Sequence, residues 1–360
     1  MLRIALTADP YIPVPPPVYG GIERIVGLLV DGLVRRGHEV TLFAHPASTA
    51  AATLRPYGAR SLTSRMGRAR WVADLGWGIW RERSRVDLVH SFGRLAALLP
   101  VLPIRSLPKI QSYQRPAVPW KGVHRAVRLG DDSICFTGCS RQMHASAAGD
   151  ESAGRWVTIF NGVDVARYDA VPSVPGDSPL MFLGRVEPQK GPHHAIAIAR
   201  RAGRRLVLAG NVEAADAPFF EAEVEPFIDG ERVIYAGPVD DVRKNALLGQ
   251  AAALLMPIEC EEAFGIVMAE AMACGTPVIG FRRGSVPEVV RDGENGFVCA
   301  TIEEAAAAVA KLTTLDRASI RADCERRFSA DVIVSQYEDL YHEMIERVGT
   351  ARPGLSAAEG

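Results

Sequence analysis

Two glutamates, Glu262 and Glu270, stand eight residues apart in the segment EAFGIVMAE and are the first candidates for chemistry. A short apolar run precedes them, and a helix-like apolar run begins at Phe264, so Glu262 lies just before a predicted helix and Glu270 about two turns inside it. The first N–H groups of a helix lack internal partners and carry partial positive charge, which suits an anion such as a diphosphate. Two acids about 12 Å apart suit hydrogen bonds to two separate polyols. The alternative is a cap at Glu262 and a surface acid at Glu270.

Two cations, Arg185 and Lys190, follow another apolar run, in the segment GRVEPQKG (184–191). A rigid guanidinium and a flexible ammonium at the carboxyl end of a strand are suited to binding a diphosphate, although either could be a solvated cation at a turn. Gly20 and Gly21 precede a predicted helix, where glycines let the backbone approach a phosphate closely. This pair lacks the GxGxxG pattern of a dinucleotide-binding fold.

The sequence contains no metal-binding pattern. It has no Asp-x-Asp, no cluster of His or Asp at metal spacing, and no pair of its six cysteines has the spacing of a zinc knuckle. We therefore expect cations and helix termini, rather than a metal ion or another cofactor, to meet the charge of a diphosphate.

Short apolar runs alternate with longer amphipathic ones, a rhythm that predicts parallel strands joined by helices. In the first half, predicted strands at 4–8, 39–44, 87–92, 109–113, 134–139 and 156–160 follow this rhythm, and a helix is predicted at 22–36. In the second half, strands are predicted at 180–184, 205–210, 232–237, 253–258 and 277–281, with helices at 193–203 and 264–275. The fold class is therefore α/β with two doubly wound sheets, in which ligands bind beyond the carboxyl ends of the strands.

A Pro-rich segment without apolar periodicity, 169–179, divides the two series of elements. The predicted organisation is a first α/β domain (1–168), this linker, a second α/β domain (180–328), a C-terminal helix (329–348) that packs back toward the first domain, and a tail (349–360). The 360 residues are enough for two such domains.

Charge is unevenly distributed along the chain. Residues 1–163 carry 21 Lys and Arg against 11 Asp and Glu, whereas the remainder carries 20 against 31. Either the two halves attract each other, or the basic half meets an anionic acceptor or a membrane surface. Segment 64–85, with six arginines and three tryptophans, fits an interfacial membrane helix or a helix with aromatic residues in the core. Gly76 and Gly78 argue against a single long helix there.

Several motifs together resemble those of glycosyltransferase family 4, which is retaining and has the GT-B fold of two Rossmann-like domains facing across a deep cleft. The resemblance covers essentially the whole chain, and its most specific part is EAFGIVMAEAMACGTPV (262–278). Matching segments elsewhere are YGGIERIV (19–26), RRGHEVTLFA (35–44), NGVD (161–164), GRVEPQKG (184–191), GPVDD (237–241) and GSVPEVVRDGENGF (284–297).

The resemblance implies a role for each matching residue. Glu262 would contact the donor sugar, and Arg185 and Lys190 would bind the diphosphate and stabilise the leaving group. Glu270 would bind the ribose, and Gly20 and Gly21 would close over the donor from the other domain. The remaining donor-binding positions would be Gly184, Gly210, Val239, Asp241, Phe264, Gly265 and Ile266, with Val239 and Asp241 near the nucleobase.

The sequence departs from the family at the reacting face. Gln114 stands where members often carry a His, and an amide hydrogen-bonds but does not titrate. A retaining front-side mechanism tolerates this change, because the leaving phosphate can take the proton of the acceptor. On the acceptor side we expect Gln114, Arg115 and His45, whereas His90, His193 and His194 fit structural roles.

The sequence thus predicts a metal-independent glycosyltransferase (class EC 2.4) that uses a nucleotide-diphosphate sugar, with UDP favoured and GDP the second candidate. The acceptor would be a secondary metabolite such as an antibiotic, or an anionic glycan or lipid. The alternatives are a non-catalytic sugar-nucleotide-binding subunit and a GT-B sugar-nucleotide epimerase. The start of the chain has no signal-peptide pattern, so we expect a cytoplasmic protein. We also expect that it binds no nucleic acid and that it contacts the inner face of the membrane peripherally through its basic domain.

Overall fold

The computed structural model describes residues 1–17, 20–58 and 64–350, apart from the side chains of Arg65 and Ser146. Contacts divide the chain into two units, one made of Met1–Asn161 with Ala330–Gly360, the other of Gly162–Ser329. The first unit therefore includes the C-terminal helix, Ala330–Thr350.

The first unit contains a seven-stranded parallel sheet with the order β3-β2-β1-β4-β5-β6-β7. Each strand is short, and all except the two edge strands are mostly buried, because apolar residues occupy both faces of a sheet that helices cover. The strands are β1 (Arg3–Thr7), β2 (Glu39–Ala44), β3 (Thr53–Pro56), β4 (Leu88–Ser91), β5 (Lys109–Tyr113), β6 (Ile134–Gly138) and β7 (Arg155–Thr158). The helices between them are α1 (Gly21–Arg35), α2 (Arg65–Glu82) and α3 (Trp120–Gly130).

The C-terminal helix is tied to the first unit by polar contacts along its length. Glu338 forms an ion pair with Arg36 and a hydrogen bond with His38 (2.6 Å), and the hydroxyl of Tyr341 lies 2.7 Å from Nδ1 of His90. Glu343 forms an ion pair with Arg155 on β7. These partners are spread over α1, β4 and β7, so the helix crosses much of this unit.

The second unit contains a six-stranded parallel sheet with the order β10-β9-β8-β11-β12-β13. Its strands are β8 (Leu180–Leu183), β9 (Leu206–Ala209), β10 (Val233–Gly237), β11 (Ala253–Met256), β12 (Val278–Phe281) and β13 (Gly296–Cys299). Its helices are α4 (Pro192–Arg201), α5 (Ala217–Glu223), α6 (Asp241–Gln250), α7 (Ile266–Ala273), α8 (Val286–Val289), α9 (Ile302–Val309) and α10 (Arg317–Phe328). Both sheets are doubly wound: strands are added first on one side of the first strand and then on its other side, so the strand order reverses there.

The second unit begins earlier than the predicted linker. The N–H of Val163 donates to the carbonyl of Phe328, and the guanidinium of Arg321 donates to the carbonyls of Val165 and Tyr168. Segment 162–168 is therefore attached to α10, although the sequence analysis assigned it to the first domain.

Helix α2 runs unbroken over 18 residues, so the expectation that Gly76 and Gly78 interrupt it is wrong. Both glycines lie where other groups come close. A Cβ on Gly76 would be 3.0 Å from the carbonyl oxygen of Ala97, and one on Gly78 would be 2.8 Å from Cε1 of Phe43. Trp71 is 2% exposed in the core and Trp77 is 62% exposed. Over the described ranges, no helix is both long and apolar enough to cross a membrane.

Candidate functional site

The loop from β11 to α7 carries the first glutamate of the segment EAFGIVMAE. Helix α7 begins at Ile266, two residues later than predicted, because Phe264 is buried against Phe328 and so continues the apolar pattern into the loop. Gly265 precedes the helix with a φ of 69°, a left-handed conformation that favours glycine. A Cβ there would lie 3.3 Å from Cγ of Glu262. This turn holds Glu262 beside the first free amides of α7.

Glu262 forms an ion pair with Lys190, its Oε2 accepting from Nζ, and its Oε1 accepts from the N–H of Ala263 at 3.2 Å. The two side chains are 23% (Lys190) and 17% (Glu262) exposed, so the pair is mostly shielded from solvent. Burial opposes the charge of Lys190, but the attraction and hydrogen bond of Glu262 outweigh it and hold the pKa of Lys190 above its ordinary value. The structure thus brings together two predicted site residues that are 72 positions apart in the chain.

Lys190 reaches Glu262 because a glycine next to it allows a close approach of two backbone segments. Gly191 has a φ of 71°, and a Cβ on it would be 2.0 Å from the carbonyl oxygen of Pro257, in the loop that leads to Glu262. The N–H of Glu259 donates to the carbonyl of Gln189 at 2.9 Å, which fixes the same two loops together. Any residue other than glycine at position 191 would push them apart.

Arg185 directly follows β8 and Gly184. Its Nη2 lies 2.9 Å from Oε1 of Glu187 and its Nη1 lies 3.7 Å from Oε1 of Glu213. Burial raises the pKa of Glu187 above its ordinary value, against the opposing effects of Arg185 and Lys190. A Cβ on Gly210 would be 1.8 Å from the carbonyl oxygen of Gly184, so the end of β9 packs directly on the turn that presents Arg185.

Glu270 is 4% exposed, so its interpretation as a surface acid is wrong. Its Oε1 accepts from Nζ of Lys244 at 2.6 Å and from the hydroxyl of Tyr168 at 2.7 Å. Nζ of Lys244 also lies 3.1 Å from Oδ1 of Asp241, one turn earlier on α6. Asp241 begins that helix and shares Lys244 with Glu270, and Val239 is half-buried in the loop before the helix.

Lys244 and Tyr168 are the partners that the sequence analysis missed. Lys244 stands three residues after Asp241, a spacing that places both on one face of a helix, and this signal could have found it. Tyr168 carries no such signal, because it lies in an irregular segment 102 residues before Glu270.

Of the predicted residues of the first unit, Gly20 and Gly21 lie at the start of α1, and the others directly follow strands β2 and β5. Gly20 precedes α1 with a φ of 157°, and a Cβ on it would be 2.8 Å from Cβ of Pro16, whereas a Cβ on Gly21 would meet nothing within 4 Å. Gln114 and Arg115 follow β5, the first half-buried and the second exposed. Nδ1 of His45 accepts from the N–H of Ala47 at 3.0 Å and so stabilises the turn after β2.

His90 is a packed histidine, as expected. It is fully buried between the hydroxyls of Tyr341 (2.7 Å) and Ser112 (2.6 Å), and burial lowers its pKa to about 3, so the ring is neutral. A neutral ring at the centre of a hydrogen-bond network orients its neighbours but does not shuttle protons near pH 7.

The structure brings together three potential metal ligands that are not grouped in the sequence. His193, His194 and Glu259 have ligand atoms that all lie within 4.8 Å of one another. Nε2 of His194 is 2.7 Å from Oε1 of Glu259, a hydrogen bond that lowers the pKa of this carboxyl, and burial lowers the pKa of His193. The group was missed because Glu259 is 65 residues away from His194 in the chain.

Comparison with known proteins finds glycosyltransferases over nearly the whole chain. The family model described as "Glycosyl transferases group 1" matches residues 169–327, and the one described as "Glycosyltransferase Family 4" matches residues 19–167. A glycogen synthase of Mycobacterium tuberculosis (strain CDC 1551 / Oshkosh) is 28% identical over 88% of this chain and 86% of its own length. A phosphatidyl-myo-inositol mannosyltransferase of the same strain is 28% identical over 90% and 93%. The crystal structure of a glycosyltransferase involved in avilamycin A biosynthesis is 28% identical, with a TM-score of 0.68 over 96% of this chain and 98% of that one.

Proposed function

Because the chain belongs to glycosyltransferase family 4 and has the GT-B fold of two Rossmann-like domains, we propose that it moves a sugar from a nucleotide-diphosphate donor to an acceptor hydroxyl with retention of configuration. The observation that carries this proposal is the Lys190–Glu262 ion pair beside the start of α7. It combines a cation for phosphate, a carboxylate for sugar hydroxyls and free backbone amides in one place.

Donor binding in this proposal is an exchange of ion-pair partners. Arg185 and Lys190 pair with Glu187 and Glu262 in the free protein. A diphosphate offers each cation a stronger acceptor, since charge-assisted bonds to phosphate are short and strong. Lys190 then releases Glu262, whose carboxylate accepts hydrogen bonds from the hydroxyls of the donor sugar. The amides of Phe264, Gly265 and Ile266 add donors for the sugar and the phosphates.

The nucleoside end of the donor lies in this proposal beside Glu270. Lys244 and Tyr168 both engage Oε1 of this carboxylate, so the group is held in one orientation and Oε2 accepts from the ribose hydroxyls. Val239 and Asp241 border the nucleobase, and Gly184 and Gly210 keep the turn before the diphosphate narrow. We propose UDP-sugars as donors first and GDP-sugars second.

The transfer step proceeds without a metal ion in this proposal. As the bond from the anomeric carbon to the diphosphate breaks, Arg185 and Lys190 stabilise the charge that develops on the leaving oxygen. The acceptor hydroxyl attacks the same face of the sugar and its proton passes to the departing phosphate, so the amide of Gln114 need not act as a base. Gly20, which precedes α1, and Gly21, which begins it, are the proposed donor-binding positions of the first unit.

A thermal-shift screen with UDP, GDP, TDP and ADP tests the donor class, followed by nucleotide release in the presence of acceptors. We expect one nucleotide to raise the melting temperature, and Lys190→Ala and Glu262→Ala to abolish most of the turnover. Lys311→Ala and Glu221→Ala remove exposed charges of the same unit and serve as matched controls. Wild-type turnover in both site variants would remove Lys190 and Glu262 from the site.

Gln114 favours one second candidate, a non-catalytic subunit that binds sugar nucleotides. This half-buried amide stands where family members often carry a His, and it does not titrate. Calorimetry would then show nucleotide binding, whereas release of nucleotide would stay at the hydrolytic background with every acceptor. We also propose that the basic first unit contacts anionic membranes peripherally through the exposed Trp77 and the neighbouring arginines of α2.

A further inference from the structure

Three strands of the first unit bring polar side chains to one place on the carboxyl edge of its sheet. β1 pairs with β4 and β4 with β5, with Thr7 opposite Ser91 and Ser91 opposite Gln111. Asp9 lies two residues past the end of β1, and Gly93 two residues past the end of β4. A Cβ on Gly93 would be 3.2 Å from Oδ1 of Asp9, and Nε2 of Gln111 donates to the carbonyl of Gly93 at 2.9 Å. Asp9 and Gln111 therefore flank the same glycine.

An aromatic group borders this point. The hydroxyl of Tyr57 donates to the carbonyl of Ala8, and its ring lies 5.9 Å from the ring of Trp71. Tyr11 contacts Trp71 edge to face at 6.0 Å and is 42% exposed. The guanidinium of Arg94 lies 5.4 Å from the centre of the same tryptophan ring. The exposed Tyr11 thus offers an apolar ring at the surface of an otherwise polar site.

Three buried polar atoms at this place have no hydrogen-bond partner among the residues that the structure describes. They are Oδ1 of Asp9, Oε1 of Gln111 and Nε1 of Trp71. An unsatisfied buried polar group is destabilising, so native proteins rarely collect several at one point without a function. The set consists of one anionic acceptor, one neutral acceptor and one donor. This combination matches a ligand whose hydroxyls both donate and accept.

Two exposed arginines, Arg94 and Arg115, interact electrostatically with Asp9. Burial raises the pKa of Asp9, and the charges of Arg94 and Arg115 oppose that effect. Burial also raises the pKa of Glu23, which interacts electrostatically with both Asp9 and Arg115. The site therefore combines partly buried carboxylates for hydroxyl groups with exposed guanidiniums for an anion.

We propose that Asp9, Trp71, Gln111, Arg94 and Arg115 bind the acceptor and that it is a polyhydroxylated ring with an anionic substituent, such as a phosphate. Hydroxyls of the ring donate to Asp9 and Gln111 and accept from Nε1 of Trp71, and the two arginines bind the anionic substituent. This inference rests on the proposed transferase function. It assigns the acceptor class, for which free polyol phosphates and the same headgroups on a lipid share the recognised chemistry.

The test measures nucleotide release by the full chain, with the donor selected by the nucleotide screen. The acceptor probes are glucose 1-phosphate and myo-inositol 1-phosphate, their unphosphorylated forms, and vesicles that contain phosphatidylinositol. We expect phosphorylated polyols to give a kcat/KM about tenfold or more above the neutral ones, because hydrogen bonds to charged groups contribute about 1.5–3 kcal/mol. Activity with the vesicles alone would assign the headgroup to a lipid, and activity with the free phosphates would assign it to a soluble acceptor.

Variants separate binding of the ring from binding of the anion. Asp9→Asn should raise the acceptor KM about tenfold while leaving the melting temperature unchanged or higher, since it removes the charge of a partly buried carboxylate whose Oδ1 has no hydrogen-bond partner among the described residues. Arg94→Gln and Arg115→Gln should remove most of the preference for phosphorylated acceptors. Arg85→Gln, an exposed arginine elsewhere in this unit, should change neither.

The outcomes keep the two proposals distinct. If nucleotide binds and is released equally well with neutral acceptors, or if Asp9→Asn leaves the acceptor KM unchanged, the assignment of this site is overturned and the transferase proposal stands. If no probe supports release, calorimetry with the nucleotide-saturated protein decides, and absence of heat from the polyol phosphates also overturns it. Failure of every nucleotide to bind overturns the transferase proposal itself.

Discussion

The Lys190–Glu262 ion pair allows binding of the diphosphate to be separated from binding of the sugar. The pair is mostly shielded from solvent, with side chains 23% and 17% exposed. Glu262→Gln keeps the shape of the side chain, removes its negative charge and frees Lys190 from its resting partner. Affinity for the nucleotide diphosphate without sugar should therefore rise or stay within about threefold, because exchange no longer requires breaking an ion pair.

The same substitution should lower catalytic efficiency when the donor carries its sugar. A hydrogen bond to a charged group contributes about 1.5–3 kcal/mol, so loss of the Glu262 carboxylate should lower kcat/KM with the sugar donor by about 10- to 100-fold. Lys190→Met should instead weaken binding of both the free nucleotide and the sugar nucleotide by about 10- to 100-fold, since both carry the diphosphate. The two variants thus have different signatures, although they remove the two halves of one contact.

Calorimetry with the nucleotide and steady-state release with the sugar nucleotide measure both effects, and the double variant completes a thermodynamic cycle. Lys311→Met and Glu221→Gln are the matched controls, because both residues are exposed in the same unit. If Glu262→Gln weakens the free nucleotide as much as Lys190→Met does, Glu262 contributes to the diphosphate site itself and the exchange of partners is refuted.

Lys244→Met should leave the buried carboxylate of Glu270 without its cation, lower the free energy of unfolding by about 3 kcal/mol and weaken nucleotide binding, which urea denaturation and calorimetry check. Asp323 is 5% exposed, and burial disfavours its charged form. Hydrogen bonds from Arg327 and Asn295 outweigh this effect and hold the pKa of Asp323 below its ordinary value. The contribution of the Asp323 carboxylate to the free energy of unfolding is therefore complete above the unfolded pKa of about 3.9 and is lost as pH falls through the lower folded pKa. Denaturation at several pH values should show that Asp323→Asn is less stable than the wild type near neutral pH and that this difference shrinks in acid. Turnover should be unchanged when EDTA is added. If EDTA lowers turnover and His193→Ala lowers it equally, a metal ion would be assigned to His193, His194 and Glu259. Trp77→Ser should reduce sedimentation with anionic vesicles, whereas an unchanged bound fraction would remove α2 from the membrane contact.

The alternation of apolar runs predicted both parallel sheets, because strands covered on both faces are nearly continuous apolar segments. It missed β3 and β13. β3 (Thr53–Pro56) is an edge strand with mostly exposed residues, and β13 (Gly296–Cys299) is four residues long with half-buried residues in the middle. Such strands form because a neighbour offers backbone hydrogen bonds, and that neighbour is not visible in the local sequence.

The candidate site was predictable where a residue type is tied to a local conformation and not where it is tied to a distant partner. Glu262, Arg185 and Lys190 each follow a strand, so the edge of the sheet collects them. The burial of Glu270 depends on Lys244 and on Tyr168, which come from α6 and from an irregular segment. The helix around Glu270 is short and apolar on all sides, which is typical of a buried helix, but nothing in the local sequence identifies the partners of the carboxylate.

The charge of the second unit explains why its site must carry its own cations. Residues 162–329 contain 18 Lys and Arg against 25 Asp and Glu, so the long-range field of this unit opposes a dianionic diphosphate. Arg185 and Lys190 can attract it only at short range, where both are already paired with acids. Added salt screens the distant repulsion more than the contacts in a shielded site. Nucleotide affinity should therefore fall little, or even rise, between low and physiological ionic strength, in contrast to a site that depends on a basic surface.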